Sequence, residues 1–271
     1  MAGSSASTAT ARWRAALESW AIPEDILAAA PQSPYGFSVR LFERAAEAAM
    51  GGSSPTTAAM AAALPPNGSV LDIGCGAGAA SLPVAGMAGE LIGVDSSADM
   101  LAAFAARARG LGVGVMTQVG RWPDIAGEVG IADVAVARNV AYNVPDLAEF
   151  ASAMTAHARE RAVLELTVVH PLSWMNPLWR VIHGIERPSR PTLDDAVAVL
   201  SELGLEVVVQ RWTGASVLKS LPADEVAAFV LQRLCVGQDR AGEVRAALAA
   251  LPPLPPRSGQ DVATVWWAGG A

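Results

Sequence analysis

The sequence is short of the residues that indicate a secreted, membrane-bound or nucleic-acid-binding protein. Its two cysteines, Cys75 and Cys235, are too few for a disulfide framework or a cysteine-based metal site. No apolar run approaches the roughly 18 residues that a membrane helix needs, so we expect no membrane partner. Basic residues number 19 against 26 acidic ones, and the net charge of -7 argues against nucleic acid as a partner.

Apolar and small residues are abundant in the sequence. Apolar residues make up 52% of the 271 positions, which predicts one large core with decorations. The first 11 residues are rich in Ser, Thr and Ala, and we expect a disordered tail there. Met1 to Arg14 lack the apolar segment of a secretory signal, so the expected location is the cytoplasm.

Strands and helices alternate along most of the chain. Apolar strands of Val, Ile and Leu that alternate with helices favour an α/β fold with a parallel, doubly wound sheet. We expect a helix over Ala79 to Ala88, directly after the first strand. The predicted strands are Ser69 to Ile73, Leu91 to Val94, Val113 to Val119, Ala132 to Ala137, Arg161 to Val168, Leu205 to Trp212 and Asp261 to Trp267.

Helical segments without strands flank and interrupt this pattern. We expect an N-terminal helical cap over residues 12–63 and a main domain over 64–271 with insertions at 169–191 and 221–256. Pro252 to Pro256 predict a rigid polyproline segment before the last strand. Tyr35, Phe37 and Arg40 are the cap residues best able to reach a ligand, although packing and solvent exposure are the preferred explanation for them.

One motif organises the rest. Val70 to Gly78 is a buried-strand pattern that runs into Gly74, Gly76 and Gly78, and such glycines allow a tight turn and close approach of a ligand to the backbone. The motif satisfies both a GxGxG and a dinucleotide GxGxxG/A pattern. Asp95 ends the next strand, where a carboxylate can bind ribose hydroxyls or, alternatively, begin a helix.

The combination of Val70 to Gly78 with Gly93-Val94-Asp95 resembles the class I S-adenosylmethionine-dependent methyltransferases, and Ala132 to Asn139 resembles their fourth-strand segment. The similarity covers roughly Leu64 to Pro171. It implies a seven-stranded, mostly parallel sheet with an antiparallel last strand, S-adenosyl-L-methionine as cofactor and methyltransferase activity. A catalytically inactive S-adenosylmethionine-binding protein is the alternative. An NAD(P)-dependent oxidoreductase is less favoured because no second mononucleotide-binding half is visible.

The resemblance also implies a set of cofactor contacts. In such proteins the glycine backbone lies against the methionine moiety, Asp72 helps to hold the amino group, and Asp95 holds the ribose. Arg121 stands where the family often has an acid that binds the adenine amine, so backbone at Gly120 or Arg121 and stacking by Trp122 are expected instead. The predicted cofactor-binding residues are Asp72, Gly74, Gly76, Gly78, Asp95, Ser96, Gly120, Arg121, Trp122 and Asn139.

The catalytic candidates follow the fourth and fifth strands. Alignment of bound reactants supplies roughly 7 to 11 kcal/mol, so a general base is optional for methyl transfer. If one exists, His170 is the first candidate, with Tyr142 lining the acceptor site. Glu165 lies within an apolar strand and is either paired with Arg138 or has a raised pKa. The expected substrate is a small molecule, no metal is expected, and a homodimer is left open.

Overall fold

The structure is a computed structural model that describes residues 7–36, 38–216, 218, 221–251 and 259–271. Its centre is a seven-stranded sheet whose strands are β1 Gly68–Ile73, β2 Ala88–Asp95, β3 Gly114–Val119, β4 Ala132–Arg138, β5 Ala158–Thr167, β6 Val208–Gly214 and β7 Gln260–Ala268. The strand order is β3-β2-β1-β4-β5-β7-β6. The first five strands pair in parallel, and β7 runs antiparallel between β5 and β6. The predicted fold class is therefore confirmed.

Helices cover both faces of the sheet. They are α1 Ala9–Glu18, α2 Glu24–Ala28, α3 Val39–Met50, α4 Pro55–Ala61, α5 Ala98–Gly110, α6 Leu147–Ala156, α7 Asn176–His183, α8 Leu193–Glu202, α9 Ala223–Arg233 and α10 Ala241–Ala250. One core contains side chains of α1, α6 and α8, and the other contains side chains of α3, α4 and α5. Burial of these apolar faces on the sheet is the main source of stability.

The N-terminal segment is divided between three places. Helix α1 packs in the sheet core, where Trp13 is fully buried, and α3 and α4 pack on the opposite face. Ile26 of α2 and Ile22 just before it pack on the apolar cluster formed by α7, α9 and α10. We call this cluster the helical cap. Most of residues 12–63 thus pack on the sheet.

Two boundary predictions need comment. Helix α1 begins at Ala9, capped by Thr8, so the last residues of the predicted tail are helical, while residues 1–6 lie outside the described part. The predicted polyproline segment also lies outside the described residues, as does Phe37. Among the residues that are described, no helix is both long and apolar enough to cross a membrane.

The helix predicted over Ala79 to Ala88 is wrong. The structure has turns there and a single 3-10 turn at Leu82–Val84. The reason is Pro83, which has no N–H to donate to the carbonyl of Ala79 and whose ring clashes with that carbonyl in an α-helix. Because Pro83 falls in the first turns of the expected helix, the glycine loop is followed by irregular backbone.

Candidate functional site

The glycine loop leaves the carboxyl end of β1 at the centre of the sheet. Gly74, Gly76 and Gly78 all have positive φ, at 66°, 50° and 96°. Other residues adopt this backbone conformation only with strain. The amides of Gly74 and Cys75 both donate to the carbonyl of Val94 in β2, at 2.7 and 3.0 Å. The loop therefore bends back over β2 and does not continue into a helix. The free N–H groups of a helix N-terminus are thus absent from the loop itself.

The three glycines face different neighbours. A Cβ on Gly74 would lie 2.6 Å from Val140, and one on Gly76 would lie 2.6 Å from the ring of Phe42 in α3. A Cβ on Gly78 would meet Leu82 and Phe104, which belong to the core. All three glycines thus lie so close to neighbouring side chains that a Cβ would clash with them.

Asp95 joins the end of β2 to the loop. One carboxylate oxygen accepts the amide of Gly76 at 2.9 Å, and the other accepts the amide of Ser97 at 2.9 Å. The Ser97 hydroxyl caps α5 by accepting the amide of Met100, so the capping role considered for this region belongs to Ser97. Ser96 is exposed beside Asp95. A carboxylate has about four acceptor positions, so Asp95 retains capacity for two further donors.

Asp72 lies directly below the loop and is 1% exposed. Its Oδ2 accepts both the amide of Ser81 at 3.2 Å and the hydroxyl of Ser81 at 2.6 Å. Its Oδ1 has no hydrogen-bond partner within the described chain. Burial raises the pKa of Asp72 to about 6, and the nearby charge of Asp95 acts in the same direction. A buried acceptor without a partner is costly, so this oxygen is a strong candidate for binding a cationic ligand group.

The residues after β3 divide into exposed and buried. Gly120 has an extended φ of 159°, and Arg121 is exposed at the carboxyl edge. Trp122 is buried in the core, where its indole N–H donates to the carbonyl of Phe150 and its ring stands edge-on to His157. This corrects the expectation that Trp122 stacks on adenine, because the ring already packs in the interior.

The carboxyl end of β4 supports the loop. Arg138 Nε lies 2.6 Å from Glu165 Oε1, and Glu165 is 3% exposed, which confirms the predicted ion pair. Arg138 also donates from Nη1 to the carbonyl of Ala79 at 2.8 Å. Asn139 follows with a positive φ of 57° and an exposed side chain. The strained backbone of Asn139 lies at the sheet edge where such folds place ligands.

The two catalytic candidates are both buried. The Tyr142 hydroxyl donates to the carbonyl of Thr167 at 2.7 Å, and burial raises its pKa. The ring of His170 stacks on Trp20 with centroids 3.6 Å apart, and burial lowers the pKa of His170 to about 3. The positive charge of Arg187 contributes to that lowering. A weakly basic, stacked imidazole has little tendency to accept a proton, and this disfavours His170 as a general base.

Aromatic and arginine side chains hold the N-terminal segment against the carboxyl edge of the sheet through stacking and hydrogen bonds. Trp13 stacks on Tyr142 at 5.7 Å, and its indole N–H donates to the carbonyl of Val144 at 2.8 Å. Arg187 lies between the rings of Trp20 and Trp179 and donates to the carbonyls of Trp20 and Ala21. Sequence reasoning missed Arg187, because no local pattern marks an arginine whose partners are backbone carbonyls 166 and 167 residues away.

Two cavities border the helical cap. One of about 480 Å³ lies between α2, the end of α7 and residues 235–240. One of about 360 Å³ lies between α9 and two groups of residues, Gln32 with Gly36 and Ser38 with Arg40 and Leu41. Neither is lined by the glycine loop. The second is lined by Arg40 and Leu41 of α3, the helix whose Phe42 covers Gly76.

Comparison with known proteins agrees with this architecture. Residues 70–162 match a family model described as a methyltransferase domain. No curated protein matches the chain. Several solved structures resemble it at less than 25% identity, a level that supports the fold.

The YcgJ protein of Bacillus subtilis is 18% identical, with a TM-score of 0.54 over 83% of this chain and 99% of that one. S-adenosylmethionine-dependent methyltransferases solved with S-adenosyl-L-homocysteine from Thiobacillus denitrificans and Geobacter sulfurreducens are 20% and 19% identical. Their TM-scores are 0.52 and 0.53, over 84% and 85% of this chain and 97% and 98% of theirs. The chain therefore contains a methyltransferase-domain match over residues 70–162 and shares its overall fold with these solved structures.

Proposed function

We propose that the chain binds S-adenosyl-L-methionine at the glycine loop and transfers its methyl group to a small-molecule acceptor. The observation that carries this proposal is the buried Oδ1 of Asp72, which has no hydrogen-bond partner among the described residues. An ammonium group, such as that of the methionine moiety, is the kind of donor that would satisfy it.

The residues present fit this cofactor. Asp72 would take the ammonium group through the loop or a water, and the backbone of Gly74 and Gly76 would lie against the methionine moiety. Asp95 would accept hydrogen bonds from the ribose hydroxyls with its remaining lone pairs, which are charge-assisted and contribute about 1.5 to 3 kcal/mol each. Ser96, Asn139 and the backbone of Gly120 and Arg121 border the same edge.

When bound, this cofactor supplies an electrophilic methyl group on a sulfonium. The chain's contribution is to orient the acceptor and exclude water, because Tyr142 and His170 are buried and neutral at pH 7. Tyr142 and His170 are fixed by a hydrogen bond and by stacking, so they act as walls. Such alignment is worth roughly 7 to 11 kcal/mol, enough for methyl transfer to an acceptor that is already nucleophilic.

A small-molecule acceptor fits the surface better than nucleic acid does. The net charge of -7 disfavours nucleic acid, and the cavities of about 360 and 480 Å³ lie in the size range of small-ligand sites. The cavity next to Arg40 and Leu41 is the better candidate entrance, because α3 carries both these residues and Phe42, the residue that contacts the loop.

The test has two parts. Calorimetric titration with S-adenosylhomocysteine should show one site, and incubation with S-adenosylmethionine and a panel of nucleophilic small molecules should release S-adenosylhomocysteine. Absence of binding would refute the cofactor assignment. Binding without turnover on any acceptor would favour the inactive binding protein instead.

An NAD(P)-dependent oxidoreductase has less support. A dinucleotide fold has two mononucleotide-binding halves and a parallel order 3-2-1-4-5-6. Here the antiparallel β7 lies between β5 and β6, and the strands in the described part of the chain form no second half of that kind. Fluorescence titration with reduced nicotinamide cofactor is expected to show no binding.

A further inference from the structure

The backbone after the glycine loop contains a carbonyl that cannot be satisfied in the usual way. In an α-helix each N–H donates to the carbonyl four residues earlier, so the carbonyl of Ala79 would need the N–H of residue 83. Residue 83 is proline and has none. The structure accordingly contains turns and one 3-10 turn at Leu82–Val84 instead of a helix. The far end of the loop therefore lacks the rigid element that normally follows such a loop.

Arg138 takes the place of that missing donor. Its Nη1 donates to the carbonyl of Ala79 at 2.8 Å, while its Nε forms an ion pair with Glu165 Oε1, 2.6 Å away. Arg138 is the last residue of β4 and pairs in register with Glu165 on β5. Since Glu165 is 3% exposed, its carboxylate is fixed by the sheet and holds the guanidinium in one orientation.

The turn that follows β4 also contacts the beginning of the glycine loop. Val140 lies against Gly74, so closely that a Cβ on the glycine would come within 2.6 Å of it. Asp95 holds the middle through the amide of Gly76. The loop is thus supported at its beginning by Val140, in its middle by Asp95 and at its end by Arg138.

We propose that Arg138, oriented by Glu165, is a positioning residue that keeps the glycine loop in its cofactor-binding shape in place of the helix that Pro83 prevents. This role rests on the proposed function, because it assumes that the loop binds S-adenosylmethionine. Arg138 acts through Ala79 and needs no contact with the cofactor.

The test removes the hydrogen bond between Arg138 and the carbonyl of Ala79 without leaving a buried charge. Arg138→Met alone leaves Glu165 unpaired and endangers folding, so the main variant is Arg138→Met with Glu165→Met, which replaces the pair by apolar groups. Arg138→Lys is the second variant, since one ammonium can pair with Glu165 but lacks the second, divergent donor for Ala79. The matched control is Arg159→Met, which breaks the 3.2 Å ion pair with Asp133 at the other end of the same two strands.

Three readouts are measured. In calorimetry with S-adenosylhomocysteine, we expect at least tenfold weaker binding by the double variant and by Arg138→Lys, and unchanged binding by Arg159→Met. In the ligand-free protein, amide hydrogen exchange over residues 74–82 should accelerate in the double variant and not in the control. The urea midpoints report whether the variants fold, and a folded double variant with wild-type affinity and exchange would overturn the proposal.

The pH dependence of binding separates positioning from general stabilisation. The groups that face Asp72 are the amide and hydroxyl of Ser81 and the charges of Asp95 and Arg138, and the arginine lowers the pKa of Asp72. The midpoint of the affinity's pH dependence should therefore rise in the double variant and stay constant in Arg159→Met. An unmoved midpoint would contradict the placement of Arg138 at the loop. If the wild type does not bind S-adenosylhomocysteine at all, the proposed function fails, and this role fails with it.

Discussion

Replacing Asp72 by asparagine tests whether burial raises the pKa of this carboxylate. Burial raises the pKa of Asp72 from 3.8 to about 6, so the folded chain holds this proton more tightly than the unfolded chain does. Stability from this group is therefore greatest at low pH and is lost as the pH rises from 3.8 through 6. Above the folded pKa the carboxylate is charged, buried and half satisfied. Asparagine has no such titration.

The size of the effect follows from the shift. A difference of about two pKa units corresponds to about 3 kcal/mol of free energy of unfolding over the whole range. Between about pH 5 and about pH 8 the wild type should lose about 1.4 kcal/mol relative to Asp72→Asn. The unpaired amide N–H₂ of the variant costs about 1 to 3 kcal/mol, but that cost is constant with pH. The test therefore compares how the free energy of unfolding changes with pH in the two proteins, not its absolute value.

The assay is urea unfolding of both proteins at several pH values, with Asp133→Asn as a control. Although burial raises the pKa of Asp133, hydrogen bonds from Ser69 and Arg159 outweigh it and hold the pKa below its usual value. Asp133 is thus ionised in both states over this range. The free energy of unfolding of Asp133→Asn should therefore change with pH as it does in the wild type. If that of Asp72→Asn also changed as in the wild type, Asp72 would have an ordinary pKa, and the reasoning about its unpaired oxygen would be refuted. Affinity of the wild type for S-adenosylhomocysteine should rise with pH through about 6.

Four further results are expected. Asp95→Ala should weaken S-adenosylhomocysteine binding at least tenfold, about 1.4 kcal/mol, and unchanged calorimetry would contradict the ribose role. His170→Phe should leave the pH profile of methyl transfer between about pH 6 and 8 unchanged, because the pKa of His170 is about 3; a loss of about 10² or more in kcat would identify a base after all. Trp13→Ala should cost about 3 to 5 kcal/mol in urea unfolding, and a cost below 1 would show that α1 is not part of the core. Arg187→Met should speed proteolysis between residues 20 and 36, where its carbonyl contacts are lost, and an unchanged cleavage pattern would argue against that anchor.

Much of the sheet was predictable because its signals are local. Continuous apolar runs predict buried parallel strands, and each of the seven appears within a few residues of its predicted position. The pairing of Arg138 with Glu165 was also predictable, since a carboxylate in an apolar strand needs a partner and the neighbouring strand offers an arginine at its end.

Other features depend on contacts that local patterns do not contain. The helix expected after Gly78 fails at Pro83, a signal that was present in the sequence and outweighed by the alanines around it. Trp122 and His170 have the residue types of a ligand site, but Phe150 and Trp20 fix their rings from 28 and about 150 positions away. Only the fold decides whether an aromatic residue at a sheet edge faces a ligand or the core.

These corrections change where catalytic specificity should be sought. With His170 and Tyr142 held neutral in a stacked wall, the edge offers no strong base, and rate must come from how precisely donor and acceptor are aligned. That alignment depends on the glycine loop, held by Arg138, and on the N-terminal segment, held through Trp20 by Arg187. Substitutions in these anchors should therefore change turnover even though the side chains involved touch neither the methyl group nor its acceptor.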